Sequence, residues 1–264
     1  MSSRSALLSA MLAVALASPV LAAEPAKTPV PARLAGKPNW TGFWTLDGGL
    51  FDRNFGPGYK APDPAASPVP KAPSADPADL LISPYKERYQ ALHQKELQGV
   101  PPADPTTLCY PPGMPRMMNM TYGMEILEAP NVVAITSEWG PATRRIWLDG
   151  RKHPPADELD PTYSGHSIGH WEGEVLVVDT VGLRTEAVLN QSGLMHSEDL
   201  HLIERFSSPH PGELVDEITV IDPKVFSKPW TLVRRFGYRP DLSLQEYVCE
   251  DNNRNVDHDG RPSF

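Results

Sequence analysis

The chain has 264 residues, a formal charge of -9 at pH 7, 30 prolines and 2 cysteines. An acidic balance argues against nucleic acid or an anionic membrane surface as partner, because both need clustered cations. The length suits one domain with a sizeable core, and beyond the first two dozen residues no run approaches the roughly 20 apolar residues that span a bilayer.

Residues 1–22 read as a secretory signal peptide. Arg4 precedes an apolar run from Ala6 to Ala17, and small residues occupy Ala22 and Ala23. The mature protein is expected to be periplasmic or secreted, with no membrane insertion after cleavage. Residues 23–38 are rich in Pro, Ala and Lys and predict a disordered start. Residues 39–264 read as a single β-barrel domain. Its first strand is expected over Thr41–Asp47, followed by a Pro-rich insertion at 55–78, too proline-dense for a helix or a central strand.

A single helix is expected next. Ser83 suits the N-cap and Pro84 the first turn, Tyr85, Tyr89 and Leu92 make one apolar stripe, and Gly99 with Pro101 stops it. A second Pro-rich loop then carries Met114, Met117, Met118 and Met120, read as an apolar plug for one barrel end.

Strands are expected at Met124–Ala129, Val132–Glu138, Thr143–Leu148, Ile168–Trp171, Val175–Thr180, Leu200–Phe206, Leu214–Ile221, Trp230–Tyr238 and Leu244–Glu250, separated by turn residues. Short connections favour an antiparallel meander, and this many strands can close into a barrel. The fold class is therefore mainly β, a lipocalin-like barrel with one short helix and long Pro-rich loops. Along Leu200–Phe206, Leu202, Glu204 and Phe206 share a face and His201 takes the other. Cys109 and Cys249 allow one pairing, and an oxidising compartment favours it. That disulfide closes a loop of about 140 residues, worth about 4–5 kcal/mol in the chain-entropy account.

The acid-base groups concentrate in Gly165–Gly173, where His166, Ile168, His170 and Glu172 share one strand face and Trp171 takes the other. His196 and His201 follow. Imidazole titrates near neutrality, so it can take and give a proton in one cycle. The expected site gathers His166, His170, His196 and His201 with Asp179 and Glu246 as catalytic groups in a barrel pocket. Arg116, Arg144 and Arg145 are placed to hold an anion, and Tyr122, Trp171, Glu172 and Tyr247 complete the ligand-binding set. No Gly-x-Ser-x-Gly, phosphate-cradling loop or dinucleotide fingerprint is present.

Several of these motifs occur together in a known pattern. Thr41-Gly42-x-Trp44, Cys109-x-Pro-Pro-Gly-Met-Pro-Arg-Met-Met118, Gly165-His-Ser-Ile-Gly-His-Trp-Glu-Gly173 and Glu246-Tyr-x-Cys-Glu250 resemble a largely uncharacterised family of exported bacterial proteins. The resemblance spans nearly the whole mature chain. It implies an aromatic substrate, because the family is numerous in bacteria that degrade aromatic compounds. The Gly-x-Trp of the first strand is also similar to lipocalin-like barrels. The expected function is a cofactor-free lyase or isomerase acting on a small hydrophobic aromatic molecule, such as a lignin-derived dimer. Two alternatives stand beside it: a non-catalytic carrier of such a molecule, and a metal-dependent enzyme using the histidines. The second lacks a His-x-His or His-Glu-x-x-His signature, so no metal is assigned.

Overall fold

β-Branched and aromatic residues alternate with polar ones through most of the chain after residue 123, and each such run pairs with its neighbours in sequence. The computed structural model describes residues 34–46, 76–99, 104–139 and 143–252. Its strands are β1 (Gly42–Leu46), β2 (Met124–Ala129), β3 (Val132–Ser137), β4 (Thr143–Trp147), β5 (His166–Glu172), β6 (Val175–Val181), β7 (His201–Ser207), β8 (Glu213–Ile221) and β9 (Trp230–Tyr238). They close into a lipocalin-like barrel in sequence order, with β9 returning to pair with β1. The signal peptide and most of the 23–38 and 55–78 segments lie outside the described residues.

Two expectations about strands need correction. The meander is not antiparallel throughout: β4 and β5 pair in parallel, Ile146 opposite Ser167 and Trp147 opposite Ile168. A parallel pair needs a crossover rather than a hairpin, and residues 148–165 supply it. Leu244–Glu250 is not a strand. Its β-branched and aromatic content had no sheet edge to join, because β9 already uses both its edges, on β8 and β1. The segment instead ends in a short 3-10 turn at Cys249–Asn252.

The helix α1 (Tyr85–Leu97) forms as expected, but Pro84 rather than Ser83 occupies its N-cap and no side chain caps it. The Ser83 hydroxyl donates to Glu87 Oε1 at 2.9 Å instead. Tyr85 and Tyr89 pack against the core, which accounts for the stripe.

Alternation fixes what fills the barrel. Leu176, Val178, Leu202, Phe206, Leu214, Ile218 and Val220 point inward and are almost fully buried. At one end Trp40, Trp171 and Phe206 pack together, with Trp40–Trp171 centroids 5.3 Å apart, and the Trp44 indole donates to the Trp40 carbonyl at 2.7 Å. The Gly of Gly-x-Trp is required here: Gly42 has φ +134, and a Cβ on it would lie 2.6 Å from the Tyr238 ring. The opposite end holds the starts of β2, β5, β7 and β9. Met114, Met117 and Met118 join the buried core there.

The lumen also carries ions. Arg144 of β4 and Glu204 of β7, both 0% exposed, form a two-pronged ion pair across it, one prong at 2.8 Å. Arg144 also donates to Ser167 at 3.2 Å and Thr180 at 3.0 Å, and those hydroxyls bond each other at 2.8 Å.

Cys109 and Cys249 are joined, with Cα atoms 5.6 Å apart, consistent with an oxidising, exported location. Replacing both cysteines by alanine is expected to cost about 2–5 kcal/mol. Thermal melting of the oxidised protein and the double variant measures this; equal melting temperatures would refute it.

Candidate functional site

On β5, β6 and β7 the residues between the inward positions face away from the lumen. Ser167 and Thr180 are inside, so His166 and Asp179 are outside, and Glu204 inside places His201 outside. The histidines were expected inside the barrel; His166 and His201 instead stand on its outer wall. Their strand parity is opposite to that of the apolar face, and a one-residue offset moves a side chain through the wall.

A fourth group completes the outer cluster. His153, from the crossover between β4 and β5, lies over the sheet. Its Nε2 is 3.1 Å from Asp179 Oδ1 and its Nδ1 is 2.8 Å from His166 Nδ1. His201 Nε2 reaches the same Asp179 oxygen at 2.7 Å. The crossover is pinned at both ends. Arg151 bonds Asp149 and stacks over Trp147 at 3.9 Å, while Thr162 exchanges backbone hydrogen bonds with Gly182 and Arg184, both at 3.0 Å. Gly165, at φ +66, admits the chain to β5, and a Cβ there would meet the Val181 carbonyl at 2.8 Å.

The hydrogen bonds fix the tautomers. Burial works to raise the Asp179 pKa, but the hydrogen bonds and charges of His201 and His153 outweigh it and the net shift is downward. Asp179 is thus an ionised acceptor, and both Nε2 atoms donate to it. With the Nε2–H of His153 donating to Asp179, the remaining Nδ1 lone pair of a neutral ring accepts from His166 Nδ1–H. That leaves the basic lone pair of His166 on Nε2. Burial first, then the neighbouring His153 and the Arg151 charge, lowers the His166 pKa and favours its neutral form. The Asp179 hydrogen bond raises that of His201 against its burial.

His166 lines a cavity of about 400 Å³ with Arg145, Trp147 and Tyr163. Tyr163 also walls a neighbouring cavity of about 500 Å³, bounded by Leu108, Tyr110 and Arg184. Two compartments, each large enough for an aromatic ring with substituents, thus share one tyrosine wall.

The other expected residues lie elsewhere. His170 is 68% exposed and pairs with Glu172 at 3.4 Å, and Glu172 also binds Arg205 at 2.9 Å. His196 is buried in the loop before β7, where its Nδ1–H donates to the Ser197 carbonyl at 2.8 Å. Arg144 is consumed in the lumen. Arg116 is buried on Asp104, with both contacts at 2.5 Å. Trp171 packs at the far barrel end. Tyr122 and Tyr247 pack with Trp139, and Tyr247 and Glu246 line a separate cavity of about 340 Å³ beside the disulfide. Only His166, His201, Asp179 and Arg145 come together. His153 was missed; its one sequence signal is the following Pro154-Pro155, which holds the preceding residue extended.

The facing nitrogens of His153, His166 and His201 are directed at one another and at Asp179. Among the described residues no three such groups stand in metal-holding geometry. Fold and site together define a closed nine-stranded barrel with a carboxylate–imidazole chain on its outer wall. No protein-family model matches the chain, and no curated protein matches it significantly.

Proposed function

We propose that the protein is an exported, periplasmic or secreted, cofactor-free acid-base enzyme, a lyase or isomerase. Its substrate is a small hydrophobic aromatic molecule, such as a lignin-derived dimer, held in the cleft beside His166. The observation that carries this reading is the unbroken hydrogen-bonded chain from His201 through Asp179 and His153 to His166, which ends at a cavity wall. Chains of this kind hold an imidazole in one tautomer and stabilise the imidazolium that forms on it.

In this reading His166 Nε2 removes a proton from the substrate, and the Nδ1 proton of His166 shifts toward His153 as Asp179 offsets the charge. Arg145, on the same cavity wall, faces a developing phenolate or enolate. The proton then returns to product or leaving group along the same path. The pair of cavities sharing Tyr163 suits a molecule of two linked rings. The resemblance to exported proteins of aromatic-degrading bacteria supports the same substrate class.

The carrier reading draws on those aromatic-lined cavities alone and needs none of the imidazoles. One experiment separates the readings. The purified exported protein is first analysed for metal, then incubated with a panel of aromatic dimers while products are followed by mass spectrometry. Turnover by metal-free protein supports the proposal. Turnover that is lost with a chelator and restored by added metal favours the metal-dependent alternative. Ligand-induced stabilisation without any product favours the carrier.

A further inference from the structure

The barrel end that receives the methionine plug contains a cavity unrelated to the histidine chain. It measures about 260 Å³ and is walled by Pro115, Leu189, Leu194 and Leu232, with Trp230 and Arg234 of β9 beside them. That is just under the roughly 300–1,000 Å³ of pockets for drug-sized ligands, so it suits a single ring. Trp230 and Arg234 share the strand face that looks into the barrel.

The polar atoms there are mismatched. The Trp230 indole N–H and the Arg234 Nε–H are both buried without a hydrogen-bond partner. Arg234 Nη1 is taken by the Val233 carbonyl at 3.0 Å. A buried donor left without a partner is costly, so both atoms favour an acceptor. Asp216 sits opposite Arg234 in the β8–β9 ladder, is fully buried, and neither of its oxygens has a partner. Burial, then the nearby Glu204 carboxylate, pushes Asp216 well above the usual carboxylate range against Arg144 and Arg234. A protonated Asp216 does not offset the Arg234 charge. Of the other charged groups at the cavity, Arg116 is neutralised by Asp104, and Asp76, at the exposed rim, accepts from the Ala78 amide at 2.9 Å.

A partly buried cation and an indole donor among apolar walls complement a flat ring bearing an anionic oxygen pair. We propose that this cavity is a second ligand site, selective for the carboxylate of a single-ring aromatic acid. The proposal is independent of the acid-base reading, since it uses no residue of the histidine chain.

The test is calorimetric titration of the whole mature protein with benzoate, benzamide and benzyl alcohol at fixed ionic strength. Benzoate is expected to bind at least about tenfold more tightly than the two neutral analogues. Arg234→Gln is expected to weaken benzoate by about tenfold or more. Trp230→Phe, which keeps the ring and removes only the N–H, is expected to weaken it about fivefold, and it guards against misfolding of the arginine variant. His166→Gln is expected to leave benzoate binding unchanged. Absence of benzoate binding, equal binding of benzamide, or a loss in His166→Gln matching that in Arg234→Gln would each overturn the proposal.

Discussion

Replacing His166 by glutamine is expected to lower turnover of the aromatic substrate by about 10²–10⁴-fold, the range contributed by a positioned general base. Glutamine keeps a polar side chain of similar reach and has no titrating nitrogen. His166 lies on the outer wall, only partly buried, so the melting temperature should stay close to that of the parent. Asp179→Asn is expected to act through His153, because an amide no longer enforces donation from both Nε2 atoms. Turnover should fall by about 10–100-fold, as for groups that orient a functional imidazole. His170→Gln, on an exposed ring, should match the parent. Equal activity in His166→Gln and His170→Gln would remove the outer-wall site.

The pH profile follows from the same network. His166 must be neutral to act as the base, and its pKa lies below the ordinary histidine value of about 6.5. Activity should therefore hold at and above that pH and fall only below it, as the ring takes up its proton. Asp179→Asn removes a negative charge that favours imidazolium, so its acid limb should move lower still. A limb that rises above neutrality instead would place a different group in control.

The second large effect lies inside the barrel. Arg144→Met is expected to destabilise the fold by about 3–5 kcal/mol, because it leaves the Glu204 carboxylate buried without a counter-ion. Ser167 and Thr180 keep each other's hydrogen bond, so the orphan is the carboxylate alone. Glu204 then also faces Asp216 with no Arg144 charge between them. Glu204→Gln should be milder. It removes the Glu204 charge that adds to burial in pushing Asp216 upward, and it leaves no carboxylate unpaired beside Arg144. The double change Arg144→Met with Glu204→Leu should recover most of the loss, since a well-packed apolar pair can replace a buried ion pair. Urea denaturation orders the three variants. A Glu204→Gln protein less stable than Arg144→Met would contradict the coupling to Asp216.

These two sites differ in how far the sequence discloses them. The alternation in Leu200–Phe206 already separates Glu204 from His201, and that in Gly165–Gly173 separates Ser167 from His166. Which of the two faces is inward depends on burial. The apolar set Leu202 and Phe206 selects the lumen and takes Glu204 with it, which puts His201 on the outer wall. The even spacing of His166 and His170 does not distinguish a ring near the crossover from one at an exposed strand end.

Local patterning by itself determined the mainly β class, nearly every strand, the helix α1 and, through the presence of only two cysteines, the disulfide, because each depends on side-chain period, turn chemistry or simple pairing. Tertiary structure alone decided the parallel β4–β5 pair, the exclusion of Leu244–Glu250 from the sheet, and the meeting of His153 with Asp179 and His166. Barrel closure removes the free edges, and a crossover is laid across the wall by contacts between residues far apart in the chain. Neither consequence is written in the spacing of neighbouring side chains.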